Sequence, residues 1–253
     1  MAGGARDSRG VAERLFAVLG AFDTTPRRTL PLTEIARRAE LPVSTTSRLV
    51  RSLVDLGGLE RTVDGEFQIG LKLWRLGTRH PAPGALRQLA RPYLDDLFEL
   101  TRQNVQIAVL DGLTALYLDR LTARDSVVVL ADVGRRLPLH ATGVGLVLLA
   151  WGGPTLLAEV IAARPRKLLA ATMTTEADLG PRLDRIRRDG VATTRDEMTA
   201  GAASVAAPVR DAAGAVAAAI SIIVPSDRPI EPRYELAVRL AANGVSRELA
   251  RLA

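Results

Sequence analysis

Apolar residues between positions 8 and 70 recur three times at helical spacing and then switch to a strand-like pattern. Val11, Leu15, Val18, Leu19 and Phe22 form the first stripe, in a helix expected to start near Ser8. "DTTPRRTLP" ends it, because proline cannot continue a helix. Thr33 stands where an N-cap is wanted for "EIARRAE", and Glu34 falls in the first turn, where the helix dipole favours a negative charge. Ile35, Ala36 and Ala39 give this helix a small buried face. After the turn at "LP", Ser44 is the expected cap of a third helix. Leu49, Leu53 and Leu56 form its apolar stripe, while Ser44, Arg48, Arg51 and Asp55 run along another side. Gly57 and Gly58 stop it. "LERTVDGEFQIG" then reads as a hairpin with strands at 59–63 and 66–69, turning at Asp64-Gly65.

Helix, short helix, tight turn, helix and two-stranded ribbon, in that order, predict a winged helix-turn-helix over residues 1–70. The third helix buries its leucines and presents small hydroxyls and arginine outward, a set suited to phosphates and base edges. The N-terminal part of such a helix enters the major groove. Arg48 and Arg51 are the main candidates for phosphate or guanine contacts, with Ser44, Thr45, Thr46 and Ser47 for phosphate or bases. Arg61, on the wing, is expected near the backbone or minor groove. One amphipathic helix with two arginines would read as a solvated face; the ordered set of elements favours DNA.

Charge adds to this picture. The 253 residues carry a net charge of +6, almost all of the positive charge is arginine, and Lys72 and Lys167 are the only lysines. Residues 1–80 hold 13 basic against 9 acidic groups, the denser share of the excess, in keeping with a polyanion partner. The absence of cysteine excludes disulfides, thiolate catalysis and zinc–cysteine sites. No signal-like start and no uncharged apolar run of membrane-spanning length is present, so a soluble cytoplasmic protein with no membrane partner is expected.

Beyond the wing, "LKLWRLGTRHPAPG" reads as a short helix ending in Pro81, Pro83 and Gly84, which predicts a linker helix and hinge at 71–84 and a second domain at 85–253. A helix over 85–102 is expected to bury Leu86, Leu89, Leu94, Leu97 and Leu100. "VQIAVLDGLTALYLDRL" predicts strand, turn and strand, and "SVVVLADV" a third strand. "HATGVGLVLLAWG" and "TTEADLGPRLDRIRRDG" predict helices, the second burying Leu179, Leu183 and Ile186. "VATTRD", "SVAAPVRD" and "AVAAAISIIVP" are strand-like, and a terminal helix from about Pro232 is expected to pack through Leu236, Leu240, Val245, Leu249 and Leu252. Strands interleaved with helices give an α+β sheet domain.

Catalytic chemistry is poorly provided for. His80 lies in the linker, and His140, beside Pro138, reads as a residue leading into a helix rather than a base. Gly143-x-Gly145 at a helix start can leave N–H groups free for an anion, but lacks the third glycine and acidic partner of a dinucleotide site. Ser204 and Ser221 have no nucleophile motif around them, and Asp196 and Glu197 would point to opposite faces of a strand. No catalytic residue, metal-ligand cluster or cofactor is assigned. A ligand pocket is easier to defend: Gly143 and Val144 leave room, Ser204 and Ser221 supply hydroxyls, and apolar walls surround them.

At this point "LTEIARRAELPVSTTSRLVRSLVDLGGLER" and "DGEFQIGLKLWRLG" resemble the isocitrate lyase regulator (IclR) family of bacterial transcription factors. A second set of matches lies downstream, in "LRQLARPYLDDLFELT", "AVLDGLTALYLDRL", "GRRLPLHATGVGLVLLA" and "RRDGVATTRDEMTAGAASVAAPVRDAAGAVAAAISI". The resemblance spans about residues 10–250. It implies an N-terminal DNA-binding domain, a linker helix and a C-terminal effector domain of GAF-like α/β fold, in homodimers or homotetramers that repress or activate in response to a small, often organic-acid or aromatic, metabolite. Carried over by position, its effector contacts fall on Gly143, Val144, Thr194, Asp196, Ser204, Ser221 and Ile223. Where many members have an acidic residue, a cysteine and a second serine, this chain has Thr194, Ser204 and Ile223. That implies a less polar site and a larger or more apolar ligand, such as an aromatic acid or a lactone-like metabolite. The competing readings are an architectural DNA binder with an inert oligomerisation domain, and an enzyme fused to a DNA-binding domain.

Overall fold

In a computed structural model, the structure describes residues 9–23, 27–77, 81–123, 127 and 132–252. The chain divides into two compact units, Met1–Pro81 and Ala82–Ala253.

The first unit contains α1 (Val11–Gly20), α2 (Leu32–Ala39), α3 (Val43–Asp55), a hairpin of β1 (Leu59–Arg61) and β2 (Phe67–Ile69), and α4 (Leu71–Gly77). Val18, Leu30, Ile35, Val50, Leu53 and Leu59 make its core. Two caps differ from expectation. Pro31 and Pro42, not Thr33 and Ser44, occupy the N-cap positions of α2 and α3, with extended backbone. Proline has no N–H to leave unsatisfied and its fixed φ sets the chain up to enter a helix, so each helix begins right after its proline. The turn between α2 and α3 is tight because Glu40 takes a left-handed conformation at φ 52°. The Arg9 guanidinium holds that turn by donating to the carbonyls of Ala39 (3.1 Å) and Glu40 (2.8 Å).

The stripe of α3 is rotated from the expected one. Thr46, Val50 and Leu53 are buried, Leu49 is half-buried, and Leu56 is exposed. The wing loop is longer than a two-residue turn: Thr62 N–H donates to Glu66 O and Gly65 N–H to Thr62 O. Gly70 sets the wing against α3, since a Cβ there would lie 2.4 Å from the carbonyl oxygen of Gly57.

The second unit is built on a six-stranded antiparallel sheet of order β5-β4-β3-β8-β7-β6. The strands are β3 (Asn104–Asp111), β4 (Thr114–Leu121), β5 (Arg136–Pro138), β6 (Ala192–Arg195), β7 (Ala202–Arg210) and β8 (Val216–Pro225). One face packs on α5 (Pro81–Thr101) and α9 (Pro232–Ala250) through Leu94, Ile107, Ile220, Ile222 and Val238. The other packs on α6 (Gly143–Trp151), α7 (Gly153–Ala162) and α8 (Glu176–Asp189) through Leu146, Leu149, Leu179 and Leu183. Residues Gly143 to Ala150 of α6 are all buried, as an apolar helix between sheet and helices must be. Among the described residues, no helix is long and apolar enough to cross a membrane.

Several expectations are corrected. Helix α5 starts at Pro81 rather than at 85, because prolines fit a helix's first turn. Leu100 is exposed on it. The strand expected at 126–133 lies mostly outside the described residues, as does His80. Helix α7 is an addition. On α9 the stripe that meets the sheet is Tyr234, Ala237, Val238, Ala241, Ala242 and Val245, while Leu236 and Leu240 are each 60% exposed and Leu252 also faces outward. Of the expected leucines, only Leu249 packs, in part, against the core.

Candidate functional site

In the first unit, α3 presents Ser44, Arg48 and Arg51 outward, with Thr45 and Ser47 half-exposed beside them. Among the described residues, neither Arg48 nor Arg51 has an ion-pair partner. Thr46, expected among the DNA contacts, is fully buried and its hydroxyl donates to Pro42 O at 3.1 Å. It is part of the helical core, because three residues after the first residue of α3 the chain has turned inward. Arg61 is exposed on β1. Its guanidinium lies over the Phe67 ring at 6.0 Å and its Nε approaches Gly65 O at 3.5 Å, so it braces the wing it decorates.

On α2, the Glu34 carboxylate takes three bonds, two from Arg37 (2.6 and 2.9 Å) and one from Arg38 (2.7 Å). These bonds, Arg37 first, hold its pKa down to about 2. Glu60 on β1 accepts from the backbone N–H of Leu71 at 2.8 Å and from Gln68 at 3.1 Å, fastening the start of α4 to the wing. Those bonds, the Leu71 one largest, lower its pKa.

The second unit holds a partly open pocket of about 40 Å³ between the sheet and the start of α6. Its floor is the sheet face: Tyr117 on β4, Gln106 on β3, Ser221 and Ile223 on β8, Ala202 and Ser204 on β7, Thr194 on β6. Leu137, Ala141, Thr142 and the segment Glu197–Thr199 complete the wall. Thr194 Oγ1 and Ser204 Oγ lie 2.6 Å apart, one donating to the other. Burial pushes the Tyr117 hydroxyl up, with a hydrogen bond to Thr142 opposing the shift, so Tyr117 is a neutral phenol. Glu197 is buried and bidentate with Arg182, both bonds at 2.7 Å. No arginine, lysine or histidine is among the described residues lining the cavity.

Helix α6 brings its N-terminus here. Thr142 caps it by accepting from Gly145 N–H at 3.1 Å, and Leu146 N–H bonds to Thr142 O. A Cβ on Gly145 would sit 2.4 Å from the carbonyl oxygen of Leu139, so this turn requires glycine. A Cβ on Gly143 would meet Ser204 Oγ at 2.5 Å, which shows how closely the helix end approaches β7.

Four of the seven residues assigned by resemblance line the cavity: Thr194, Ser204, Ser221 and Ile223. Gly143 lies against Ser204 just behind the wall, and Val144 points into the apolar core of α6. Asp196 is elsewhere: at φ 51° just past β6, its carboxylate accepts from Gly201 N–H (2.7 Å) and Ser226 Oγ (2.8 Å), closing a turn. The sequence reading missed Gln106, Tyr117, Thr142 and Met198 as lining residues. Gln106 carried one readable signal, a lone amide in the apolar run "VQIAVL". His140 is buried with Nε2 3.0 Å from Arg166 O, a structural role. Among the described residues, no group of three or more His, Cys, Asp or Glu is placed to hold a metal ion.

Comparison with known proteins places both units. A family model described as the IclR helix-turn-helix domain matches residues 11–62, and one described as bacterial transcriptional regulator IclR C-terminal matches residues 84–247. Among solved structures, an IclR homolog from Microbacterium hydrocarbonoxydans complexed with 4-hydroxybenzoate is similar at 34% identity and a TM-score of 0.89, covering 96% of this chain and 100% of that one. The HTH-type transcriptional regulator BhcR of Paracoccus denitrificans is 31% identical over 91% of this chain and 83% of its own length. The HTH-type transcriptional regulator KdgR of Dickeya chrysanthemi is 27% identical over 96% of this chain and 81% of its own.

Proposed function

The chain belongs to the IclR family of bacterial transcriptional regulators, and from that premise we propose that a small organic acid bound in the sheet-face cavity sets its affinity for operator DNA. The carrying observation is a partly open pocket, with apolar walls and a few inward hydroxyls, in the same chain as a helix bearing exposed arginines. In this reading α3 enters the major groove with Ser44, Thr45, Ser47, Arg48 and Arg51 toward the DNA, and Arg61 lies by the backbone. The protein works as a cytoplasmic homo-oligomer, two copies of α3 reading two half-sites.

The effector is an aromatic carboxylic acid. Leu137, Ala141, Met198, Ala202 and Ile223 supply apolar wall, and the related Microbacterium hydrocarbonoxydans protein is complexed with 4-hydroxybenzoate. With no basic side chain in the lining, the carboxylate goes to the start of α6, where helix dipole and first-turn N–H groups favour an anion, beside the Thr194–Ser204 hydroxyl pair. Control requires that the ligand prefer one arrangement of the DNA-binding units over another.

Fluorescence anisotropy with DNA from upstream of its own coding sequence tests both halves. Sequence-specific binding that weakens steeply with salt is expected, and saturating 4-hydroxybenzoate should change the Kd at least about fivefold. Binding that is absent or indifferent to salt rejects the operator reading. An unchanged Kd with the ligand bound rejects the control.

A further inference from the structure

We propose that Gln106 is a specificity-determining residue of the cavity, which selects an effector carrying a neutral hydroxyl at the end remote from its acid group. The inference rests on the reading of the cavity as an aromatic-acid site and goes beyond it by assigning the second polar contact.

Gln106 sits on the central strand β3 and is 2% exposed. Its side chain lines the cavity, and its Oε1 has no hydrogen-bond partner. Its strand neighbours Val105 and Ile107 pack on the opposite face of the sheet, so the alternation of the strand puts the amide on the cavity side. A buried amide oxygen without a partner costs stability. It persists where a ligand supplies what the fold does not.

The chemistry of the missing partner follows. A carbonyl oxygen needs a donor, which a carboxylate is not. The O and N of an amide can exchange places by rotation about its terminal bond. A hydroxyl, which both donates and accepts, pairs with either arrangement. Ser221, paired with Gln106 in the β3–β8 register, sets a second hydroxyl on the same face. The Tyr117 phenol lines the cavity from β4 on the other side. These groups are neutral, so the end they form suits an uncharged polar substituent.

The acid end lies elsewhere. Ser204 and the start of α6 stand over β7, two strands from β3 in the order β3-β8-β7. Two inter-strand spacings are about 10 Å. A single aromatic ring with a carboxylate on one side and a hydroxyl opposite, reached by the extended Gln106 side chain, bridges that span. A small keto acid would leave Gln106 unpaired.

Calorimetric titration of wild type and Gln106→Leu with benzoate and 4-hydroxybenzoate is the test. Wild type should bind 4-hydroxybenzoate at least about tenfold more tightly than benzoate, and Gln106→Leu should erase that preference by weakening the hydroxylated probe alone. The ligand-free variant should melt at or above the wild-type temperature, since an unpaired buried amide has been removed. Gln106→Met provides a second apolar side chain of similar length, with the same expectation. Equal weakening of both probes, or an unaltered preference, overturns the assignment while leaving the aromatic-acid reading intact. Binding of neither probe to wild type overturns the proposal at its premise, without touching the DNA-binding role. A lower melting temperature for both ligand-free variants makes the amide a structural group and overturns it too.

Discussion

Individual side chains on α3 divide by a rotation of about 100° per residue. Arg48 and Arg51 look outward, whereas Thr46, on the opposite side of the helix, is buried with its hydroxyl on Pro42 O. Arg48→Ala and Arg51→Ala should each weaken DNA binding and lower the salt slope by about one, or cost about 1–3 kcal/mol at one base position. Thr46→Val should leave DNA affinity within about twofold and change only thermal stability. Anisotropy titrations across a salt series separate the three. Gly145 belongs to the same scale. Gly145→Ala forces a methyl against the Leu139 carbonyl and the Thr142 hydroxyl, so a loss of about 1–3 kcal/mol is expected, read as a lower melting temperature.

A few charged groups steady single elements or fasten one element to another. Glu34 on α2 gathers Arg37 and Arg38, and its pKa falls from 4.5 to about 2. A folded value below the unfolded one means the contribution is complete above pH 4.5 and disappears as pH drops toward 2. The melting gap between wild type and Glu34→Gln should therefore be constant above pH 4.5 and close on acidification. On the other unit, Asp119 of β4 is buried against α5, accepting from Arg87 at 3.1 Å, close to Arg91 at 3.6 Å, and taking the Arg120 N–H at 2.9 Å. Asp119→Ala should cost about 1–3 kcal/mol, and Asp119→Asn less, because its amide oxygen keeps the Arg120 bond. Denaturant titrations of the two variants rank them. Helix α9 shows how an element chooses its face. Two stripes compete in its sequence, and the alanine stripe wins because small side chains let the helix lie close on the sheet. Leu236 and Leu240 are displaced outward as a result.

At the scale of the whole molecule, each unit owns its core. Val18, Ile35, Val50 and Leu59 close the first, and both faces of the six-stranded sheet are covered within the second. A fragment of residues 82–253 should thus melt cooperatively and keep the proposed effector binding, while losing DNA binding. A fragment without a cooperative transition would show that the second unit depends on the first. The same separation explains why one chain can pair a DNA-reading surface with a chemically unrelated cavity.

Local patterns carried much of this. The 3.6-residue stripes, the prolines, and the glycines at 57, 58 and 65 fix where most elements of the first unit begin and end, since those effects act within a turn or two of chain. The two family-like blocks were likewise legible as sequence, and so were the hydroxyls of Ser204 and Ser221 as pocket candidates, Thr194 following only from the resemblance. What lay beyond local pattern was pairing in space. Register across β3, β8 and β7 decides that Gln106 and Ser221 share a row and that Ser204 faces the end of α6. Its own left-handed conformation just past β6 turns Asp196 away into a loop, though Thr194 two positions earlier lines the cavity. Strand order joins residues more than a hundred positions apart in sequence, and no spacing along the chain encodes which of them will meet.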